Sequence, residues 1–223
     1  MSDVMDWDSA YRGEGVFSGP PPWSIGEPQP ELAALHRAGR FRSDVLDAGC
    51  GHAELSLALA EDGYTVVGLD ISPTAIAAAN KAAQLRGLAT ASFAQADITA
   101  FTGYDGRFST ILDSTLFHSL PIEGRDGYLR SIHRAAAPGA TLFILAFAKG
   151  AFPPHLETKP HEVEEAELRD AVSRYWTVDD IRPAFIHANA LQMPGAPVDM
   201  PYERDEKDRL KFPAFLLAAH KSG

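Results

Sequence analysis

Residues 44–54 read DVLDAGCGHAE, and this stretch decides the fold. The run DVLDA predicts a short strand that stops at Gly49, and ELSLALAE over residues 54–61 predicts a helix directly after it. Glycines let the backbone bend sharply and let a ligand approach it without a Cβ clash. A strand, a glycine turn and a helix in this order predict an open α/β sheet with a ligand site where the strand ends.

Strand and helix patterns continue to alternate along the chain. Ser72 and Pro73 predict the start of an Ala-rich helix and Gly87 its end, while Pro138-Gly139 are expected to end a later helix. The other expected strands are residues 65–70, 91–95, 108–113, 141–148, 182–189 and 213–220, and the other expected helices are residues 31–39, 124–137 and 162–175. This alternation predicts the α/β class: a single doubly wound, mostly parallel, seven-stranded sheet with helices on both faces.

Composition and charge limit the classes of protein. With 223 residues, the chain is long enough for one domain with a sizeable core. Its formal net charge of −10 argues against nucleic acid and anionic membranes as main partners, because both favour a basic face. No apolar run reaches the roughly 18 residues of a membrane span, and the acidic N-terminus has no apolar signal core. Cys50 is the single cysteine, and zinc-binding spacings are absent. We therefore expect a cytoplasmic protein without a disulfide or a metal site.

Several candidate ligand-binding residues lie where the predicted strands end, which is where open α/β sheets bind ligands. Asp70 lies 21 residues after Gly49, at a distance where a carboxylate can hold both hydroxyls of a ribose. The candidates are Asp47, Gly49, Gly51, Asp70, Ile71, Asp97, Ile98 and Asp113. Simpler alternatives stay open: a tight turn at the glycines, a helix cap at Asp70, and solvated loop residues at Asp97 and Asp113.

Glu54 stands where a dinucleotide-binding motif has its third glycine. At a helix start it would place a negative charge beside a pyrophosphate, which disfavours a dinucleotide. A ligand with adenosine but without phosphate fits this turn better. S-adenosylmethionine is such a ligand, and an acidic pocket tolerates its sulfonium cation.

Five motifs follow in order between residues 44 and 148: DAGCGHAELSLALA, VVGLDIS, AQADI, FSTILDSTLFHSL and RAAAPGATLFIL. Together they resemble the successive motifs of class I S-adenosylmethionine-dependent methyltransferases. The resemblance implies the Rossmann-like methyltransferase fold, with S-adenosylmethionine as cofactor and S-adenosylhomocysteine as product.

The N-terminal segment resembles a narrower group. Trp7, Tyr11 and the stretch PPWSIGEP around Trp23 are similar to the aromatic lid of thiopurine and halide/thiol methyltransferases. With AYRGEGV, FTGYDGRF and DSTLFHS, they look most like the bacterial heterocyclic-toxin methyltransferases. That resemblance implies detoxifying methyl transfer to an O or N atom of hydroxyquinolones and related heteroaromatics. It also implies a lid arm over residues 1–30, a methyltransferase domain over residues 31–223 and a substrate-shaping segment over about 150–201.

Single residues also receive roles. By the resemblance, Trp7, Tyr11 and Trp23 close over the cofactor, since aromatic faces attract a cation and exclude water; alternatively, they anchor the arm to the core. His118, just past the fourth strand, is the best-placed general base, because imidazole titrates near neutral pH. A core histidine is the stronger alternative there, since an acidic N-hydroxy or ring N–H substrate arrives ionised and needs no base.

Three other functions stay open: a thiol or halide methyltransferase, a nicotinamide-dependent oxidoreductase, and a non-catalytic cofactor-binding module. The missing third glycine and the aromatic segment count against the oxidoreductase. Methyl transfer requires no signature catalytic residue, so the module is not excluded. The expected partner is a small heteroaromatic molecule, and the sequence indicates no oligomeric state.

Overall fold

The computed structural model describes residues 5–14, 19–154, 159–190 and 202–223. The remaining parts of the predicted arm and of the predicted substrate-shaping segment lie outside these ranges. The strands are β1 Val45–Ala48, β2 Val66–Asp70, β3 Ala91–Gln95, β4 Phe108–Ser114, β5 Ala136–Phe147, β6 Thr177–Ala188 and β7 Leu210–His220. They form one sheet in the order β3-β2-β1-β4-β5-β7-β6, in which β7 runs antiparallel to both neighbours and the other pairs are parallel. The predicted seven-stranded, mostly parallel sheet is confirmed.

Helices cover both faces of the sheet. They are α1 Trp7–Tyr11, α2 Pro30–Arg37, α3 Glu54–Glu61, α4 Pro73–Arg86, α5 Ile122–Ala135 and α6 Glu165–Val172, with a short 3-10 helix over Phe117–Ser119. Because successive strand side chains point to opposite faces, Val45 packs with Leu32 and Leu55 of α2 and α3, whereas Leu46 packs with Leu129 of α5. None of the helices in the described ranges is long and apolar enough to cross a membrane.

The turn residues in the sequence set both ends of α4. The Ser72 hydroxyl accepts a hydrogen bond from the N–H of Ala75 (3.1 Å), and Gly87 adopts a φ of 68° at the C-cap. The serine thus satisfies one of the N–H groups that a helix start leaves unpaired. The predicted helix between Ser72 and Gly87 is confirmed.

Pro138-Gly139 do not end a helix, so that prediction is wrong. Helix α5 ends at Ala135, and β5 begins at Ala136 and includes both residues. The pairing of β5 with β4 shifts register between Phe108 and Thr110, and such an irregularity accommodates a proline, which has no N–H to donate. Near the C-terminus, the predicted helix over 162–175 shortens to α6, and β6 begins earlier than predicted.

Asp113, predicted to bind a ligand, lies wholly inside the protein. Its Oδ1 accepts hydrogen bonds from the N–H groups of Leu116 (2.8 Å) and Phe117 (3.2 Å), and its Oδ2 accepts one from the Tyr128 hydroxyl (2.7 Å). Burial raises the pKa of Asp113 to about 7. The expected cofactor role is therefore wrong for this side chain, which instead joins β4 to the 3-10 helix and α5.

Asp113→Asn tests this structural role. Because the folded pKa lies above the unfolded value of 3.8, ionisation of Asp113 lowers the stability of the fold as the pH rises from about 4 to about 7. The asparagine stays neutral, and its amide can donate to the Tyr128 hydroxyl. In urea unfolding, we expect Asp113→Asn to gain stability relative to the parent as the pH rises through this range.

Asp113→Ala is the contrasting variant. It leaves the three donors without their acceptor, so it should lose at least about 1–3 kcal/mol of unfolding free energy at every pH. A difference between Asp113→Asn and the parent that does not change with pH would contradict the raised pKa.

Candidate functional site

A cleft opens at the carboxyl ends of the parallel strands. It lies between residues 23–29 of the N-terminal segment, the turn after β1 and the end of β4 at Ser114 and Thr115. We call residues 49–53 the glycine turn. Open α/β sheets bind ligands at the carboxyl ends of their strands, so this cleft is the expected ligand site.

The glycine turn needs its two glycines. Gly49 and Gly51 have φ values of 68° and 53°, in the left-handed region that disfavours other residues. A Cβ on Gly49 would lie 2.8 Å from Cδ1 of Leu116, and one on Gly51 would collide with the Tyr11 hydroxyl. The left-handed backbone and the close approach of Leu116 and Tyr11 therefore both require glycine at these two positions.

Asp70 is bound to the turn more tightly than the sequence indicated. One carboxylate oxygen accepts a hydrogen bond from the N–H of Gly51 (2.9 Å), and the other accepts one from the N–H of Ser72 (2.9 Å). Burial raises the pKa of this carboxyl. Each oxygen keeps a further lone pair for a ligand, so Asp70 can hold a ligand, but it also holds the turn.

Asp47, in β1 just before the glycine turn, has one buried carboxylate oxygen without a hydrogen-bond partner. Its Oδ2 accepts a hydrogen bond from the Ser56 hydroxyl (2.7 Å), whereas Oδ1 is buried without a hydrogen-bond partner. Burial raises the pKa of Asp47 to about 6, and the charges of Glu54 and Asp70 add to the effect. A buried unpaired carboxylate oxygen among other carboxylates favours a cation or a donor nearby.

The remaining strand-end candidates differ in exposure. Ile71 exposes 54% of its surface, which is unusual for a large apolar side chain and suits a flat apolar ligand. Asp97 is exposed, and its Oδ1 accepts hydrogen bonds from the N–H and hydroxyl of Thr99 (2.9 and 2.7 Å). The Ile98 side chain is buried in the core with Leu129, so the predicted contact with a ligand is wrong for that side chain.

The arm, comprising the described residues 5–14 and 19–30, crosses the carboxyl edge of the sheet and is fixed on both sides. On one side, Asp8 Oδ1 accepts hydrogen bonds from the Ser72 hydroxyl (2.7 Å) and the N–H of Thr74 (3.0 Å). On the other, the Gln29 side-chain amide makes two hydrogen bonds to the backbone of His187 in β6 (2.9 and 2.8 Å). These partners are 64 to 158 positions apart in the sequence, so no local pattern indicated them.

Three aromatic rings of the arm form a cluster at the cleft. The Trp7 and Trp23 ring centroids are 5.9 Å apart, and Trp23 Nε1 donates a hydrogen bond to the Tyr11 hydroxyl (3.3 Å). Burial raises the pKa of Tyr11, whose ring also meets the His52 ring edge-on at 4.9 Å. The structure thus brings together the three aromatic residues that the sequence singled out.

His118 lies in the core, in the 3-10 helix that follows β4. Its ring packs 4.4 Å from the ring of Phe147, and its Nδ1 accepts a hydrogen bond from the N–H of Phe147 (3.3 Å). Burial lowers the pKa of His118 to about 3, so the imidazole is neutral at ordinary pH. This environment favours the core alternative over a general base.

No group of three His, Cys, Asp or Glu side chains within the described ranges is arranged to hold a metal ion.

Comparison with known proteins identifies a family to which the chain is similar. The model of the family described as "Methyltransferase domain" matches residues 42–190, which include the glycine turn and the strand ends around the cleft. The chain is 52% identical over 219 residues to the 2-heptyl-1-hydroxyquinolin-4(1H)-one methyltransferase of Mycobacteroides abscessus, with 96% of each chain covered.

Two further similarities concern sulfur chemistry. A probable thiol methyltransferase of Arabidopsis thaliana is 30% identical over 63% of this chain and 61% of its own. A solved structure reported for the conversion of a disulfide bond into a thioacetal group during echinomycin biosynthesis has a TM-score of 0.83 and 33% identity, and covers 98% of this chain and 91% of that chain.

Proposed function

This chain belongs to the S-adenosylmethionine-dependent methyltransferase family, and we propose that it methylates an O or N atom of a small heteroaromatic compound such as a hydroxyquinolone. The observation that carries the proposal is the 52% identity, over nearly the full length of both chains, to a methyltransferase named for such a substrate. A detoxifying role in the cytoplasm is part of the same proposal.

The cleft fits S-adenosylmethionine by its chemistry. The buried, unpaired Oδ1 of Asp47 and the nearby carboxylates suit a ligand with a sulfonium and an ammonium group. Gly49 and Gly51 leave the backbone of the glycine turn without a Cβ at two positions that line the cleft, and Ile71 offers an exposed apolar surface. The residues that we propose to hold the cofactor are Trp7, Tyr11, Trp23, Asp47, Gly49, Gly51, Asp70, Ile71 and Asp97.

The proposed mechanism rests on orientation. When bound, the cofactor supplies an electrophilic methyl group on a positively charged sulfur. The arm, fixed by Asp8 and Gln29, excludes water from the cleft with its aromatic cluster. Holding the acceptor in line with the methyl group can contribute roughly 7–11 kcal/mol. The neutral, buried His118 takes no proton, so an acceptor that is already ionised suits this site.

A second candidate is methyl transfer to sulfur. The Arabidopsis thaliana relative is named as a probable thiol methyltransferase, and the structure at 33% identity comes from a sulfur conversion. A thiol whose pKa is near the ambient pH is also partly ionised without help from an enzymatic base. A comparison of acceptors therefore separates the two candidates.

Turnover on a matched panel of acceptors tests the proposed function. With S-adenosylmethionine present, we expect 1-hydroxyquinolones to be methylated with a higher kcat/KM than phenols, thiols or halides. Product mass and S-adenosylhomocysteine formation are the readouts. Preference for a thiol would favour the second candidate, and binding of the cofactor without turnover on any acceptor would favour a non-catalytic module.

Asp70 variants test the proposed cofactor site. Charge-assisted hydrogen bonds are worth roughly 1.5–3 kcal/mol each, so Asp70→Ala should weaken S-adenosylhomocysteine binding on the order of a hundredfold. Because both oxygens accept backbone N–H groups, Asp70→Asn must turn its NH₂ toward one of these donors and should lose nearly as much. Both variants should also melt at a lower temperature without ligand.

Calorimetric titration and thermal melting measure these two effects. The contacts to Gly51 and Ser72 are the reason to expect a loss of stability as well as a loss of binding. If Asp70→Ala binds S-adenosylhomocysteine as tightly as the parent does, Asp70 does not hold the ribose.

His118→Ala tests catalysis without a general base. On an ionised hydroxyquinolone, we expect kcat to stay within about tenfold of the parent, since no proton needs to be removed. His118→Ala also opens space beside Phe147, so folding is checked first by circular dichroism. A loss above about a thousandfold at unchanged cofactor affinity would assign His118 a direct role.

A further inference from the structure

The carboxylates in and near the cleft make it acidic. Glu27 and Glu54 line it, and Asp47 and Asp70 lie behind the glycine turn. The lysine and arginine that pair with Glu27 hold its pKa below the usual range, so this carboxylate is ionised. A negatively charged part of any ligand would therefore be repelled unless a donor or a cation met it.

The cofactor of the proposed function carries such a part. Its methionine portion has an α-carboxylate beside the ammonium and sulfonium groups. The acidic residues suit the two cationic groups, but they do not suit the carboxylate. Among the described residues that line the cleft, His52 is the one that can carry a positive charge.

The arginine that pairs with Glu27 is already bound to carboxylates. Arg209 is buried, and its guanidinium bonds to Asp205 (2.7 and 2.6 Å) and to Glu27 (2.6 Å). Lys207 pairs with the same Glu27 (2.5 Å). Both cations pair with carboxylates and neither lines the cleft, which leaves His52 as the candidate cation there.

The position of His52 is held by the arm. Its Nδ1 makes a hydrogen bond with the Ser24 hydroxyl (3.2 Å), and its ring packs edge-on against Tyr11. When the hydroxyl donates to Nδ1, or when the ring is protonated, Nε2 carries a proton that it can donate.

We propose that His52 recognises the α-carboxylate of the methionine portion of S-adenosylmethionine, donating from Nε2 while the Ser24 hydroxyl orients the ring through Nδ1. The proposal rests on the proposed function. It makes the arm part of the recognition, because Ser24 and Tyr11 set the ring that meets the ligand.

Two ligands that differ by this one group test the proposal in calorimetric titrations. They are S-adenosylhomocysteine and its decarboxylated analogue, 5′-deoxy-5′-(3-aminopropylthio)adenosine. The parent should bind S-adenosylhomocysteine roughly 10- to 100-fold more tightly than the analogue, as expected for a charge-assisted hydrogen bond. His52→Ala should lose most of that preference while binding the analogue much as the parent does.

Two polar variants distinguish the ring nitrogens. His52→Gln places an amide nitrogen near Nε2 and should keep part of the preference, whereas His52→Asn places it near Nδ1 and should lose the preference. His220→Asn is the matched control, because His220 also lies close to a carboxylate, that of Asp179 (2.8 Å), but does not line the cleft. His220 lies at the end of β7, opposite the first residue of β6. The control variant should leave both affinities unchanged.

Equal losses for both ligands in His52→Ala would overturn the proposal and give His52 a purely structural role. A parent that does not distinguish the two ligands would also overturn it, with the cofactor assignment intact. A parent that binds neither ligand would instead overturn the proposed function, together with this inference.

Discussion

Two backbone N–H groups from different parts of the chain meet on the carboxylate of Asp70, and the rest of the site depends on that meeting. The N–H of Gly51 fixes the path of the glycine turn, and the N–H of Ser72 fixes the start of α4. Ser72 then caps α4 and donates its hydroxyl to Asp8 of the arm. One buried carboxylate thus connects the glycine turn, α4 and the arm.

Burying this much negative charge lowers the stability of the site without a ligand. Burial raises the pKa values of Asp47, Glu54 and Asp70, which means that their ionised forms are disfavoured in the folded chain. A cationic ligand compensates for this cost. In the proposed function, the sulfonium of the cofactor is such a cation.

The sequence predicted those features that depend on neighbouring residues. The capped helix between Ser72 and Gly87 and the alternating strands follow from local turn chemistry and apolar runs. The errors concern partners that are distant in the chain or hidden by the fold. Asp113 sits at a strand end like Asp70, but Tyr128 and the turn after β4 enclose it. No local pattern separates these two aspartates.

The histidines show why residue type alone does not decide chemistry in this cleft. His118 follows a strand end, as a general base would, yet burial keeps it neutral and its Nδ1 is held by a backbone N–H. His52 lies in the glycine turn, half-buried, with a hydroxyl on one nitrogen and carboxylates nearby. A reaction that depends on orientation more than on proton transfer does not need His118 as a general base. A zwitterionic cofactor in an acidic cleft needs a counter-charge, which His52 can supply.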